Sequence, residues 1–278
     1  MAVIVEQKWP KVQREDGFGL PSPISFPLME RAVFGIFRTG GFMSQSFAAA
    51  EQAAITQKRF LYQVYAWMGG AILLTAFAAF FTAQNQGLQR VIFATAGGFP
   101  IGMLLLIVAE FGLVWYLSSR VFDLKFETAL ALFALYSVLN GVTLSVIFLI
   151  YTSGSIASTF FASSAMFFGM SLYGWTTKAD LSKWGNILFM GLIGIVIASL
   201  VNMFVGWNWL NVVISFVGVI VFTGLTAYDT WKLKKAHEQM AGDEVMVRKL
   251  GLLGALTLYL DFVNLFLMLL RLFGGRRD

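Results

Sequence analysis

The chain of 278 residues has no cysteine, one histidine, five prolines and few charges. Without cysteine there is no disulfide framework, thiolate nucleophile or cysteine metal site. The lone histidine, His237, stands in a charged stretch beside Lys234, Lys235 and Glu238. It reads as a solvated surface residue rather than a ligand, so no metal or other cofactor is expected. The first 20 residues lack the apolar core of a secretory signal, which leaves the first membrane span to direct insertion.

Charged residues make up 13% of the chain and hydrophobic residues 58%, with a mean hydropathy of +0.74. A soluble domain carries about a quarter of its residues as charges. So apolar a chain could not cover its own core with polar surface, and its solvent must be lipid. The net charge of +5 does not point to nucleic acid. The basic residues stand singly or in pairs between apolar runs, where lysine and arginine set topology and meet anionic headgroups. The expected partner is the lipid bilayer.

From residue 60 onward, apolar runs recur that can each cross a bilayer core of about 30 Å. They cover 60–81, 91–117, 128–151, 156–173, 185–205, 209–228 and 250–272. The expected fold is all-α: seven transmembrane helices over 57–278, preceded by a lead-in over 1–56 that is partly disordered or surface-associated. Within the lead-in, Gly19-Leu20-Pro21-Ser22-Pro23 is turn-rich, residues 28–37 suit a short helix on the membrane surface, and Met43 is an alternative start. Lys58, Arg59, Arg120, Lys125, Lys178, Lys183, Lys232, Lys234, Lys235, Arg248 and Lys249 gather at alternate connections. The intervening connections hold almost only Arg90, so the N-terminus is expected in the cytoplasm. Seven spans then put the C-terminus outside, where Arg276 and Arg277 break the rule unless the last segment fails to cross. Glycines at 98, 102, 191, 194, 251 and 254 suit helix contacts in lipid but say nothing of purpose.

Five ionisable residues fall in or at the ends of spans: Glu110 and Arg120 in the second, Asp229 at the end of the sixth, Asp261 and Arg271 in the seventh. An ion in hydrocarbon costs at least about 2.5–3.5 kcal/mol, so such residues face the bundle interior and have partners. Arg120 and Arg271 could equally be anchors that snorkel to the interface. If helices six and seven run on to a turn near residue 245, Asp229 and Asp261 come level. Two carboxyl groups so placed share a proton and make a sensor. Ten residues separate Arg120 from Glu110 and Asp261 from Arg271, about 15 Å of helix in each case. Setting Arg120 level with the aspartates therefore sets Glu110 level with Arg271, as a buried salt bridge.

The segment Leu258-Tyr-Leu-Asp-Phe-Val-Asn-Leu-Phe-Leu-Met-Leu-Leu-Arg-Leu-Phe-Gly closely resembles the last helix of the Bax inhibitor (transmembrane Bax inhibitor motif) family. Ala227-Tyr-Asp-Thr and Asn140-Gly-Val-Thr-Leu-Ser are similar as well, and the likeness covers about residues 57–275. The resemblance implies a bundle with the last helix central and a pH-sensitive leak of cations, chiefly calcium, as weakly bound permeants. It assigns the proton-sensing pair to Asp229 and Asp261 and matches Glu110 and Arg271 to family positions. It also implies a latch onto Asp229 by a basic residue at the end of helix two. The nearest match is Arg120, a single arginine where relatives often have several. On that reading, protonation of the pair weakens the latch and favours opening as pH falls. Bacterial relatives are linked to modulation of a membrane-anchored protease, which implies a membrane-protein partner. With no organelle signal present, the expected location is a cell inner membrane, with an endoplasmic-reticulum-type membrane second.

Two other readings compete. A non-conducting interaction protein would use the same bundle to bind a membrane partner. An intramembrane aspartyl protease also places aspartates on helices six and seven, where the pair activates water. However, its second aspartate follows Gly-x-Gly, whereas Asp261 follows Leu258-Tyr-Leu, and no Pro-Ala-Leu lies downstream. The chain is therefore not expected to be an enzyme.

Overall fold

A computed structural model of the chain describes residues 30–92, 94–96, 99–240 and 242–277. Helix α1 runs from Glu30 to Gln84 and is followed by the short α2 (Gln86–Ile92). A two-residue hairpin comes next, β1 (Thr95–Ala96) pairing antiparallel with β2 (Phe99–Pro100). Then come α3 (Ile101–Arg120), α4 (Phe126–Leu144), α5 (Val146–Ile150), α6 (Ser153–Thr176), α7 (Ser182–Val205), α8 (Asn208–Gln239) and α9 (Glu244–Phe273).

Among the described residues, seven stretches are long and apolar enough to cross a membrane: Ile55–Gln84, Ile101–Arg120, Phe126–Ile150, Ser153–Thr176, Ser182–Val205, Asn208–Gln239 and Glu244–Phe273. The second begins ten residues later than its apolar run, because α2 runs on to Ile92 and the strands β1 and β2 precede α3. The third breaks at Ser145, between α4 and α5. Residues 30–37 form the first turns of α1 rather than a separate helix; residues 1–29 of the lead-in lie outside the described residues.

The last helix sits in the middle of the bundle. The apolar core of α9 is 78% buried within the protein, against 17–44% for the other six spans. Leu250, Leu252, Leu256, Leu258, Tyr259 and Leu265 are almost wholly enclosed. Lipid tails supply no hydrophobic drive between helices, so such packing rests on van der Waals contact and close backbone approach. Gly174 shows how close: a Cβ there would lie 2.2 Å from the carbonyl oxygen of Ala227, so α6 and α8 meet only because the residue is glycine. Gly194 meets nothing within 4 Å, while Gly254 packs on Leu233.

Helices α8 and α9 are 32 and 30 residues long, well beyond the thickness of the hydrocarbon. The charged stretch between the two apolar runs is mostly helix, since α8 runs on to Gln239 and α9 starts at Glu244. Between them Gly242 takes a φ of +121°, and the Asp243 side chain caps α9 by accepting from the Met246 amide at 3.0 Å. The C-terminal residues lie against the α5–α6 connection. Thr152 N donates to Gly275 O at 3.0 Å, Arg277 N donates to Ile150 O at 2.8 Å, and Tyr151 bridges Arg276. The end of α9 thus lies on the same face as that connection, so the last segment crosses fully.

Candidate functional site

The long hairpin brings the two sixth- and seventh-span aspartates together. The contact of Leu233 with Gly254 sets the register. It leaves Asp229 and Asp261 about one helical turn apart in depth, which two side chains can span. Their carboxyl groups are near enough neighbours for each to feel the other's charge. Asp261 is only 5% exposed, and its Oδ2 is buried with no partner among the described residues. Lys232, one turn further along α8, is the cation whose field reaches Asp229.

Hydroxyl groups tie this layer to its neighbours. Thr230, next to Asp229, has its Oγ1 2.9 Å from Ser171 Oγ on α6, and Ser171 in turn bonds the Tyr65 hydroxyl on α1. On the other side of α9, Tyr259 is fully buried, with its hydroxyl 2.7 Å from Thr75 Oγ1 and donating to Asn140 Oδ1 at 3.2 Å. Asn140 Nδ2 reaches Glu110 at 3.5 Å, and Thr143 donates to the same carboxyl group. The Asn140-Gly-Val-Thr segment therefore holds Glu110, and the last-helix Tyr259 closes the network. The sequence alone does not single out Tyr259 or Lys232 for this layer. The spacing Tyr259-Leu-Asp261 was a usable signal, since residues two apart on a helix point to nearly opposite sides.

Two expected pairings are not formed. Glu110 and Arg271 are not partners: Glu110, 7% exposed, is satisfied by Thr143 and Asn140, and Arg271 is exposed at the end of α9. Arg120 does not reach Asp229. It lies in the last turn of α3 and pairs with Asp123 at 3.5 Å, both side chains being more than 60% exposed. The cause is depth. Glu110 connects through Asn140 to Tyr259, near the aspartate layer, so Arg120 lies about 15 Å toward the basic side. The same offset lets Lys249, at the start of α9, donate to Phe122 O at 2.6 Å. His237 also differs from expectation: it belongs to the last turn of α8 and is 4% exposed.

The comparisons agree with this architecture. A family model described as inhibitor of apoptosis-promoting Bax1 matches residues 57–278. The chain is 53% identical over 219 residues to the inner membrane protein YbhL of Escherichia coli (strain K12), which covers 78% of this chain and 92% of that protein. It is 45% identical over 228 residues to an uncharacterized protein of Borreliella burgdorferi, covering 82% and 97%. A third relative, the uncharacterized protein RP147 of Rickettsia prowazekii, is 42% identical over 221 residues, covering 80% and 91%. With seven spans and an inner-membrane relative, the chain is a multi-pass inner membrane protein. It belongs to the Bax inhibitor family.

Proposed function

We propose that this protein is a pH-sensitive cation leak, with calcium as its weakly held permeant, and that the Asp229–Asp261 pair gates it. The observation that carries the reading is the meeting of two carboxyl groups between α8 and α9, with Asp261 buried and its Oδ2 unbonded among the described residues. A hydrogen bond between carboxyl groups so placed needs a proton on one partner. With one proton it is charge-assisted, and bonds of that kind are about twice as strong as neutral ones. A second proton, for which Asp261 Oδ2 is the free acceptor, removes that assistance and loosens α8 from α9. Opening is therefore favoured as pH falls. The tie that protonation weakens is the pair itself, in place of the latch expected at Arg120.

Among the described residues no three carboxylate or imidazole groups converge. A passing cation would meet no cluster of charged ligands, and weak binding is what a leak requires. Leu258 and Tyr259, 1% and 0% exposed, fill the space that a peptide strand would need beside Asp261, which supports a non-catalytic role for the pair. The test is calcium entry into liposomes containing purified protein, expected to rise as the external pH is lowered from about 8 to about 6. Flux no greater than in empty liposomes at every pH would reject the leak and favour a non-conducting partner of another membrane protein.

A further inference from the structure

The one histidine of the chain is built into a helix contact that the proposed gate does not use. His237 is 4% exposed, and neither ring nitrogen has a hydrogen-bond partner among the described residues. Its ring lies 4.4 Å, centre to centre, from that of Phe60 on α1, with 32° between the planes. Phe60 is itself 2% exposed, and its other neighbour is Gly251 of α9, where a Cβ would touch the ring at 3.4 Å. Phe60 is thus a wedge between α8 and α9 at the basic end of the bundle, and His237 is the wall it rests on.

The charged groups around this contact are already engaged or face away. On α8, Glu238 is the charge whose field reaches the imidazole, but it accepts from Gln57 at 3.1 Å and pairs with Lys235 at 3.7 Å. Lys234 donates to Trp175 O at 2.9 Å. On α1, Lys58 and Arg59 are exposed, as is Glu244 on α9. Also on α9, Arg248 lies 4.4 Å over the Phe126 ring and Lys249 donates to Phe122 O.

We propose that His237 and Phe60 form a proton-operated fastening between α1 and α8, closed while the imidazole is neutral and released when it is charged. A neutral ring packs against an aromatic face as an apolar plate. A charged imidazolium needs acceptors for two N–H groups, and this pocket offers neither, so the cation is satisfied only when α1 lifts and water enters. The packed state holds the neutral ring, whereas the opened state accepts a proton near the ordinary imidazole value of about 6.5. The fastening is therefore at full strength above that pH and weakens progressively as pH falls below it.

Hydrogen exchange of the full chain in lipid nanodiscs tests this, with rates corrected for the intrinsic pH dependence of exchange. Because one proton is linked to opening, amides of 57–64 and 233–240 should exchange about tenfold faster at pH near 5.5 than near 7.5. In His237→Phe, which keeps a flat apolar ring, that rise should vanish. The single histidine also gives an unambiguous nitrogen-15 imidazole signal in the unaltered protein, which should titrate in step with the exchange rates. An equal rise in His237→Phe, or an imidazole that titrates while these amides stay protected, would overturn the proposal. No ion flux is measured, so the result is independent of the leak reading.

Discussion

Lys249, in the second turn of α9, donates a 2.6 Å hydrogen bond to the backbone carbonyl of Phe122, just past the end of α3. The neighbouring Arg248 lies over the Phe126 ring at the start of α4. Two consecutive cations thus clasp the α3–α4 connection onto the central helix. A hydrogen bond to a charged donor is worth about 1.5–3 kcal/mol when well shielded, and this one is partly buried. Lys249→Met should lower the stability of the protein in mild detergent by about 1–2 kcal/mol. Arg120→Ala, which removes only an exposed ion pair, should change it by less than about 0.5 kcal/mol. A larger loss from Arg120 than from Lys249 would return the fastening of α3 to Arg120.

The Glu110 network makes a second contrast. Tyr259→Phe removes the hydroxyl that joins Thr75 to Asn140 and should cost about 1 kcal/mol. Exchanging charges in Glu110→Arg with Arg271→Glu should give no recovery over the single changes, since the two residues are not partners. Recovery of stability in the double variant would mean that they pair after all.

What composition and periodicity made legible was everything set by one helix or one hairpin. Span count follows from run length against bilayer thickness. The nearness of Asp229 to Asp261, within about one helical turn in depth, follows from α8 and α9 running on to a short turn. The depth of α3 against α9 was not legible, because those helices are distant in the chain and their offset depends on tilt and side-chain packing. That one offset takes both Arg120 and Glu110 away from their expected partners. His237 is buried although its charged neighbours suggest a solvated surface residue. Leu233, Ala236, His237 and Met240 in fact keep helical spacing on one buried or half-buried stripe.

The backbone pairing of 275–277 with 150–152 puts the C-terminus on the face opposite the lysine-rich connections. Reporter fusions after Lys183 and Lys235 should read cytoplasmic, and one after Asp278 external. A cytoplasmic signal from the last fusion would contradict the seven-span topology.

In the α6–α7 connection, Ser182 donates its hydroxyl and its amide to Asp180 at 2.6 and 2.9 Å, and these bonds hold that carboxyl below its ordinary range. The folded state therefore binds the proton less tightly than the unfolded one. The contribution is complete above the ordinary aspartate value of about 3.9 and fades as pH falls through the lower folded value. Exchange protection of the Ser182 amide should weaken only in that acid range, and Asp180→Ala should weaken it at neutral pH. Protection that is already lost near pH 6 in the unaltered chain would contradict this.

The most direct test of the gate is the pH profile of calcium flux into liposomes for Asp261→Asn beside the unaltered protein. An asparagine amide can still donate to Asp229, but it cannot exchange a proton, so the tie between α8 and α9 no longer depends on the shared proton. The account predicts that the unaltered protein leaks more as pH falls from about 8 to about 6, and that Asp261→Asn flattens this rise. An Asp261→Asn profile that follows the unaltered protein across the range would contradict the Asp229–Asp261 pair as the gate.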